Sequence, residues 1–186
     1  MKRQISVRTL ISDLEPEALR EVIIALSNYS KKNEQFIKLF VQRSDEAYSK
    51  TVVDEAKNKI RLHFYGKSEF DLKLDLKSAR KEVSDYSKML KKYPRYIADL
   101  KLYYVEVGNE VTKEFGDIDE RFYDSVESMF IAFCKYIREH PQLYAVFRDR
   151  LKKLYIESQN IGWGYSDFMS DTIRELQRLF EIDGDM

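Results

Sequence analysis

One cysteine, two histidines, one tryptophan, three prolines and six glycines are all that this chain of 186 residues carries of those types. Each scarcity excludes something. A lone Cys134 cannot close an intramolecular disulfide, and with only His63 and His140 beside it no tetrahedral zinc site can be assembled. So little proline and glycine argues against many short strands joined by turns and favours long helices. Formal net charge is zero, 32 basic against 32 acidic residues, so no global field draws the chain to nucleic acid or anionic lipid. The longest uncharged apolar stretch near the start, residues 22–27, is far short of the roughly 20 residues a membrane span needs. The Met1-Lys2-Arg3 opening is not followed by a secretory signal, and with a single cysteine the expected setting is a reducing cytoplasm, away from membranes. No phosphate-cradling G-x-x-x-x-G-K-[ST], no G-x-G-x-x-G and no G-x-S-x-G occurs, so neither a cofactor nor a catalytic residue is expected.

What is present is 44% hydrophobic and 34% charged residues, the balance of a folded chain, and the length favours one domain over residues 1–186. Apolar residues recur with a helical period. Pro16 opens a run with Leu19, Val22, Ile23 and Leu26 on one face, and Phe36, Ile37, Leu39, Phe40 and Val41 mark a second. Tyr48, Val52, Ala56, Ile60 and Phe64 follow at four-residue steps until Gly66. Residues 70–76 (FDLKLDL) alternate and are compatible with an extended segment, too short to form a sheet alone. Asp75 is placed to cap a helix buried through Leu76, Ala79, Val83, Tyr86 and Leu90. Pro94 starts the longest run, with Ile97, Leu100, Tyr104, Val107 and Val111 in line. Three more helices carry Phe122 to Ile137, Leu143 to Tyr155 and Phe168 to Phe180. The class is therefore all-α: about eight helices in antiparallel hairpins, forming a short α-solenoid-like stack or an irregular bundle.

Charge is balanced overall but not locally. Residues 57–101 hold 13 Lys or Arg against 6 Asp or Glu, and residues 102–128 hold 2 against 8. Lys88, Lys91, Lys92 and Arg95, with Tyr93 and Tyr96 between them, are the basic patch that a phosphate or acidic partner would meet; a solvated, salt-bridged surface explains the same residues.

Two loops interrupt the helices. Gly116, Asp117, Asp119 and Glu120 form the first, and Gly162-Trp163-Gly164 with Tyr165 the second; these are the candidate binding residues. The acidic loop opens like a calcium site, but the fifth and sixth positions counted from Asp117 are Arg121 and Phe122, and Ser128 stands at the twelfth, so no EF-hand and no metal is expected. Asp117 or Asp119 as a helix N-cap accounts for the acids, contributing roughly 1 kcal/mol. Trp163 is either an anchor offered to a partner or a ring that plugs the hairpin. Cys134, between Phe130, Phe133 and Ile137, reads as a core residue.

The stretch L-Y-Y-V-E-x-G-N-E-x-T-x-x-F-G-D-I-D-E-x-F-Y-D-S-V-E-S-M-F (residues 102–130), with I-G-W-G-Y at 161–165 and K-x-K-I-x-x-x-F-Y-G at 57–66, resembles an uncharacterised family of small bacterial all-helical proteins, a domain of unknown function. The resemblance implies a helical fold and a bacterial cytoplasmic setting, and brings no activity, cofactor or site residue.

The functional expectation is a non-catalytic module that binds a protein or peptide. An alternative is an enzyme or small-ligand domain using Glu106, Glu110, Asp117, Asp119 and Glu120 near Trp163. Nucleic-acid binding through residues 57–101 ranks below both.

Overall fold

Helices account for nearly all of the computed structural model, which describes residues 6–41, 46–66 and 71–181. Among these residues there are nine α-helices and no strand: α1 (Val7–Ser12), α2 (Pro16–Tyr29), α3 (Lys31–Val41), α4 (Glu46–Tyr65), α5 (Leu76–Met89), α6 (Pro94–Phe115), α7 (Glu120–Glu139), α8 (Tyr144–Glu157) and α9 (Tyr165–Glu181), with a 3-10 turn at Pro141–Leu143. None is long and apolar enough to cross a membrane. The expected helices are all present, and α1 is an addition. Its six residues are too short to show a period, and Ser6 caps it by accepting the Thr9 N–H at 3.1 Å.

Contacts gather into two compact units, Met1–Val52 and Val53–Met186, with the division falling inside α4. In the first unit α2 packs on α3. The face expected to bury Val22, Ile23 and Leu26 leaves all three exposed, and α2 buries no residue at all.

The second unit is a layered bundle around α6. The hairpin α6–α7 lies against the hairpin α8–α9 through α6 on α8 and α7 on α9, and α5 packs on α6. Helix α6 buries Ile97, Leu100, Tyr104, Val107 and Val111, the line read from the sequence. Helix α7 buries Phe122, Tyr123, Val126, Met129, Phe130, Phe133, Cys134 and Ile137 against it. Close approach of the two depends on Gly108, where an added Cβ would lie 2.7 Å from Val126 Cγ2. On α8, Phe147, Leu151 and Leu154 are buried, while Val146, expected on the same face, is exposed.

Residues 71–75 form no strand. The peptide N–H groups of Lys73 and Leu74 both donate to Phe64 O, at 2.8 and 3.1 Å, and that of Asp75 to His63 O at 2.8 Å. The segment thus satisfies carbonyls at the C-terminal end of α4, which have no intrahelical donors. Phe70, first residue of the alternating stretch, lies outside the described residues. Asp75 caps α5 through the Ser78 N–H, as expected.

Candidate functional site

Two chain reversals of the second unit meet. The first begins where α6 stops at Gly116, φ +81°, whose N–H still reaches Thr112 O at 3.0 Å. Asp119, in extended conformation, starts α7 by accepting the Phe122 N–H at 2.9 Å through Oδ1. Asp117 is not a cap: its Oδ1 accepts the Tyr123 hydroxyl at 3.1 Å.

The second reversal joins α8 to α9 and takes three left-handed residues to turn: Asn160 (φ +66°), Trp163 (φ +59°) and Gly164 (φ +72°). It rests on the first reversal through Gly162, where a Cβ would stand 2.8 Å from Asp117 Oδ2. Only glycine allows the Asp117 carboxylate that close to the backbone.

Beneath this contact lies a ring of buried polar aromatics. Tyr165, 1% exposed, donates its hydroxyl to Asn109 Oδ1 at 2.6 Å and packs its ring 5.3 Å from that of Tyr123. Burial pushes the Tyr165 hydroxyl well above the usual tyrosine range, and raises that of Tyr123. Tyr165 therefore pegs the α8–α9 turn to α6 and presents no surface to a partner. Trp163 does the opposite. It is 61% exposed, so the indole does not plug the hairpin. Holding a bulky residue in the left-handed region costs about 1–3 kcal/mol, a strain that persists only where the surroundings enforce it.

Beside Trp163 the same loop lines a cleft of about 500 Å³ between the ends of α6 and α8, with Thr112, Gly116, Asp117, Asn160 and Ile161 on its walls. Lys113 and Glu157 close one side with a 2.9 Å ion pair. Residues 114–120 contain four acidic side chains and residues 154–173 three, and neither segment contains a basic one. The corner is thus an exposed tryptophan two residues from a cleft of mixed polar and apolar lining, in which Lys113 is paired with Glu157 and Asp117 leaves a net acidic balance. Glu120, the first residue of α7, is exposed.

Two of the acids considered with this loop are occupied elsewhere. Glu106 receives a bidentate pair of hydrogen bonds from Arg150, both 2.7 Å, and the same guanidinium reaches Asp99 at 2.5 Å, with Lys57 2.8 Å from Asp99. Burial works against the charge on Arg150, but Glu106 and Asp99 outweigh it and its pKa is raised. Glu110 pairs with Arg61. Glu106 stands ten residues before Gly116, roughly 15 Å along the helix, so it does not converge on Trp163. Among the described residues no three His, Cys, Asp or Glu side chains are grouped to hold a metal ion.

The basic segment divides as well. Lys57, Lys59 and Arg61 pair with Asp99, Glu55 and Glu110. Of the patch read from the sequence, Lys88 and Lys91 line a groove over α5, α6 and α7, whereas Lys92 and Arg95 do not. The signal that separates them is spacing: Lys77, Lys81, Ser84, Lys88 and Lys91 alternate four- and three-residue steps, one face of α5 and its end.

No protein-family model matches the chain, and no curated protein or solved structure matches it.

Proposed function

We propose that this chain is a non-catalytic binding module that takes a protein or peptide segment at the corner where the α6–α7 and α8–α9 turns meet. The observation that carries this reading is Trp163, held at positive φ with most of its surface in solvent while its neighbour Tyr165 is buried. Tryptophan is the residue most enriched among interface anchors, and a fixed backbone reduces the ordering cost of association. The acidic surroundings of the cleft favour a lysine- or arginine-bearing segment, which the indole face would also attract.

The alternative of a carboxylate-based enzyme has less behind it, since Glu106 and Glu110 are neutralised by Arg150 and Arg61. A direct test uses two decapeptides, one carrying four lysines and one carrying four glutamates, titrated while Trp163 emission is followed. The basic peptide is expected to shift the emission saturably and the acidic peptide to leave it unchanged. Asp117→Asn, which keeps an oxygen for the Tyr123 hydroxyl, is expected to weaken the basic peptide several-fold. If neither peptide moves the emission, or both bind equally to wild type and variant, the corner is only a structural junction.

A further inference from the structure

The second unit carries a second concavity, unrelated to the two turns. It is a groove of about 750 Å³ over α5, α6 and α7. Its rim holds Lys77, Arg80, Lys81, Lys88, Lys91 and Lys101, and no carboxylate lines it. Lys81 is paired with Asp85 at 2.6 Å. Among the described residues the other five make no ion pair. Arg80 is anchored through neutral acceptors, Ser125 O at 3.0 Å and Ser128 Oγ at 2.7 Å, so its position is fixed and its charge is not cancelled. Lys101 is half-buried, and its burial and the nearby Arg80 charge lower its pKa against the weaker opposing pull of the Glu139 carboxylate, with which it makes no ion pair.

Lys77, Lys88 and Lys91 are solvated at the rim, but Arg80 and Lys101 are half-buried like charges that repel each other, an arrangement an anion would relieve. Two features narrow that anion. The floor is apolar, formed by Val83, Ile97 and Met129 with the Tyr136 ring at one side, so the ligand has an apolar or aromatic body as well as charge. Ser87 Oγ, which lines the groove, is buried without a hydrogen-bond partner. The volume lies within the roughly 300–1,000 Å³ of small-molecule sites. Five cations exceed the charge of one phosphate, about −2, and match two or three.

We propose that this groove binds a nucleoside polyphosphate, with the phosphates on Arg80, Lys101 and the lysines of α5 and the base over Met129 and Tyr136. A nucleic acid would share the phosphate chemistry, but the chain has zero net charge and the site has the size of a single nucleotide.

Isothermal titration of the whole protein with ATP, GTP, AMP, inorganic phosphate and a single-stranded 20-nucleotide DNA tests this. ATP or GTP is expected to bind at one site, with AMP weaker and phosphate weaker still. Lys101→Met and Arg80→Gln should each lower that affinity about tenfold or more, as the loss of one charge-assisted hydrogen bond does. Lys152→Met, on the exposed face of α8, should leave it unchanged. Circular dichroism identifies a variant that fails to fold, and Lys101→Met, which removes no hydrogen bond in the structure, is the safer of the two. Absence of saturable nucleotide binding overturns the proposal. So does binding that both groove variants leave intact, or an oligonucleotide that binds far more tightly than ATP and is lost in the same variants.

Discussion

Tyr165 and Asn109, 56 positions apart in sequence, share a 2.6 Å hydrogen bond in the interior, and the bond ties the start of α9 to the C-terminal half of α6. Both residues are almost wholly enclosed. Asn109 Nδ2 has no partner of its own, so the carbonyl side of this amide is held by the phenol. Tyr165→Phe removes that donor and leaves the buried Asn109 oxygen unsatisfied, which costs about 1–3 kcal/mol. Urea unfolding followed by circular dichroism measures it, and an unchanged midpoint would contradict the assignment.

The same burial sets an alkaline limit on stability. Tyrosines of the unfolded chain ionise near pH 10. Burial holds the Tyr165 proton well above that, and raises the hydroxyls of Tyr104 and Tyr123 as well. Above about pH 10 the folded state therefore binds more protons than the unfolded state, so stability is complete below that pH and falls as pH rises. Tyr165 alone gives a slope of about 1.4 kcal/mol per pH unit until it ionises in place. Denaturant midpoints measured from pH 8 to pH 11.5 should stay level and then drop, less steeply in Tyr165→Phe. A level profile throughout would refute this.

Gly108→Ala sets two effects against each other. Alanine improves helix propensity by about 0.8–1.0 kcal/mol. Against that, its Cβ would overlap Val126 Cγ2 at 2.7 Å and Cγ1 at 3.1 Å, and overpacking costs about 1–3 kcal/mol. The overlap wins, and the variant is expected to be destabilised. Adding Val126→Ala removes the overlapping methyl groups, so the double variant should be more stable than the sum of the two single changes.

Cys134 faces the interior between α7 and its neighbours, and burial pushes its thiol up to about 12. It should react with a disulfide reagent only as fast as the protein opens, and fully once denaturant is added. Stoichiometric labelling within seconds under native conditions would place the thiol at the surface.

Asp119→Ala tests the first turn of α7. Loss of the bond to the Phe122 N–H should cost about 1 kcal/mol. The Asp117–Gly162 contact does not depend on Asp119, so Trp163 emission should stay that of an exposed indole. A blue shift would mean that the cap also positions the second turn.

The helical core was readable because burial follows the period. Val52, Ala56, Ile60 and Phe64 recur every four residues and all are enclosed, as are Ile97, Leu100, Tyr104, Val107 and Val111. The pattern failed on α2, which packs on α3 without enclosing its apolar stripe. The stripe on α2 has the same period as that on α4, yet Val22, Ile23 and Leu26 are exposed. Periodicity reports which face is apolar, not whether anything covers it.

The loops were legible as loops but not in their division of labour. Trp163 and Tyr165 are two residues apart, and either ring would serve as plug or anchor on composition. The turn places Tyr165 inward and Trp163 outward with positive φ at Asn160, Trp163 and Gly164, and a left-handed tryptophan leaves no mark in the sequence. The basic groove was half legible. Lys88 and Lys91 belong to the basic patch read with Lys92 and Arg95, whereas the groove extends back along α5 in steps of three and four and takes Arg80 and Lys101 from the helical faces beside it.

Helix α6 finds its main partners, α5 and α7, immediately before and after it in the chain, and each is reached by a connection of only a few residues. The loops that must close before this core forms are therefore short, and loop closure is the step that slows proteins built from distant pairings. The second unit should accordingly reach its native state within milliseconds or faster after dilution from denaturant. Amide protons of α6, enclosed by helices that assemble together with it, should be among the last in the molecule to exchange with solvent.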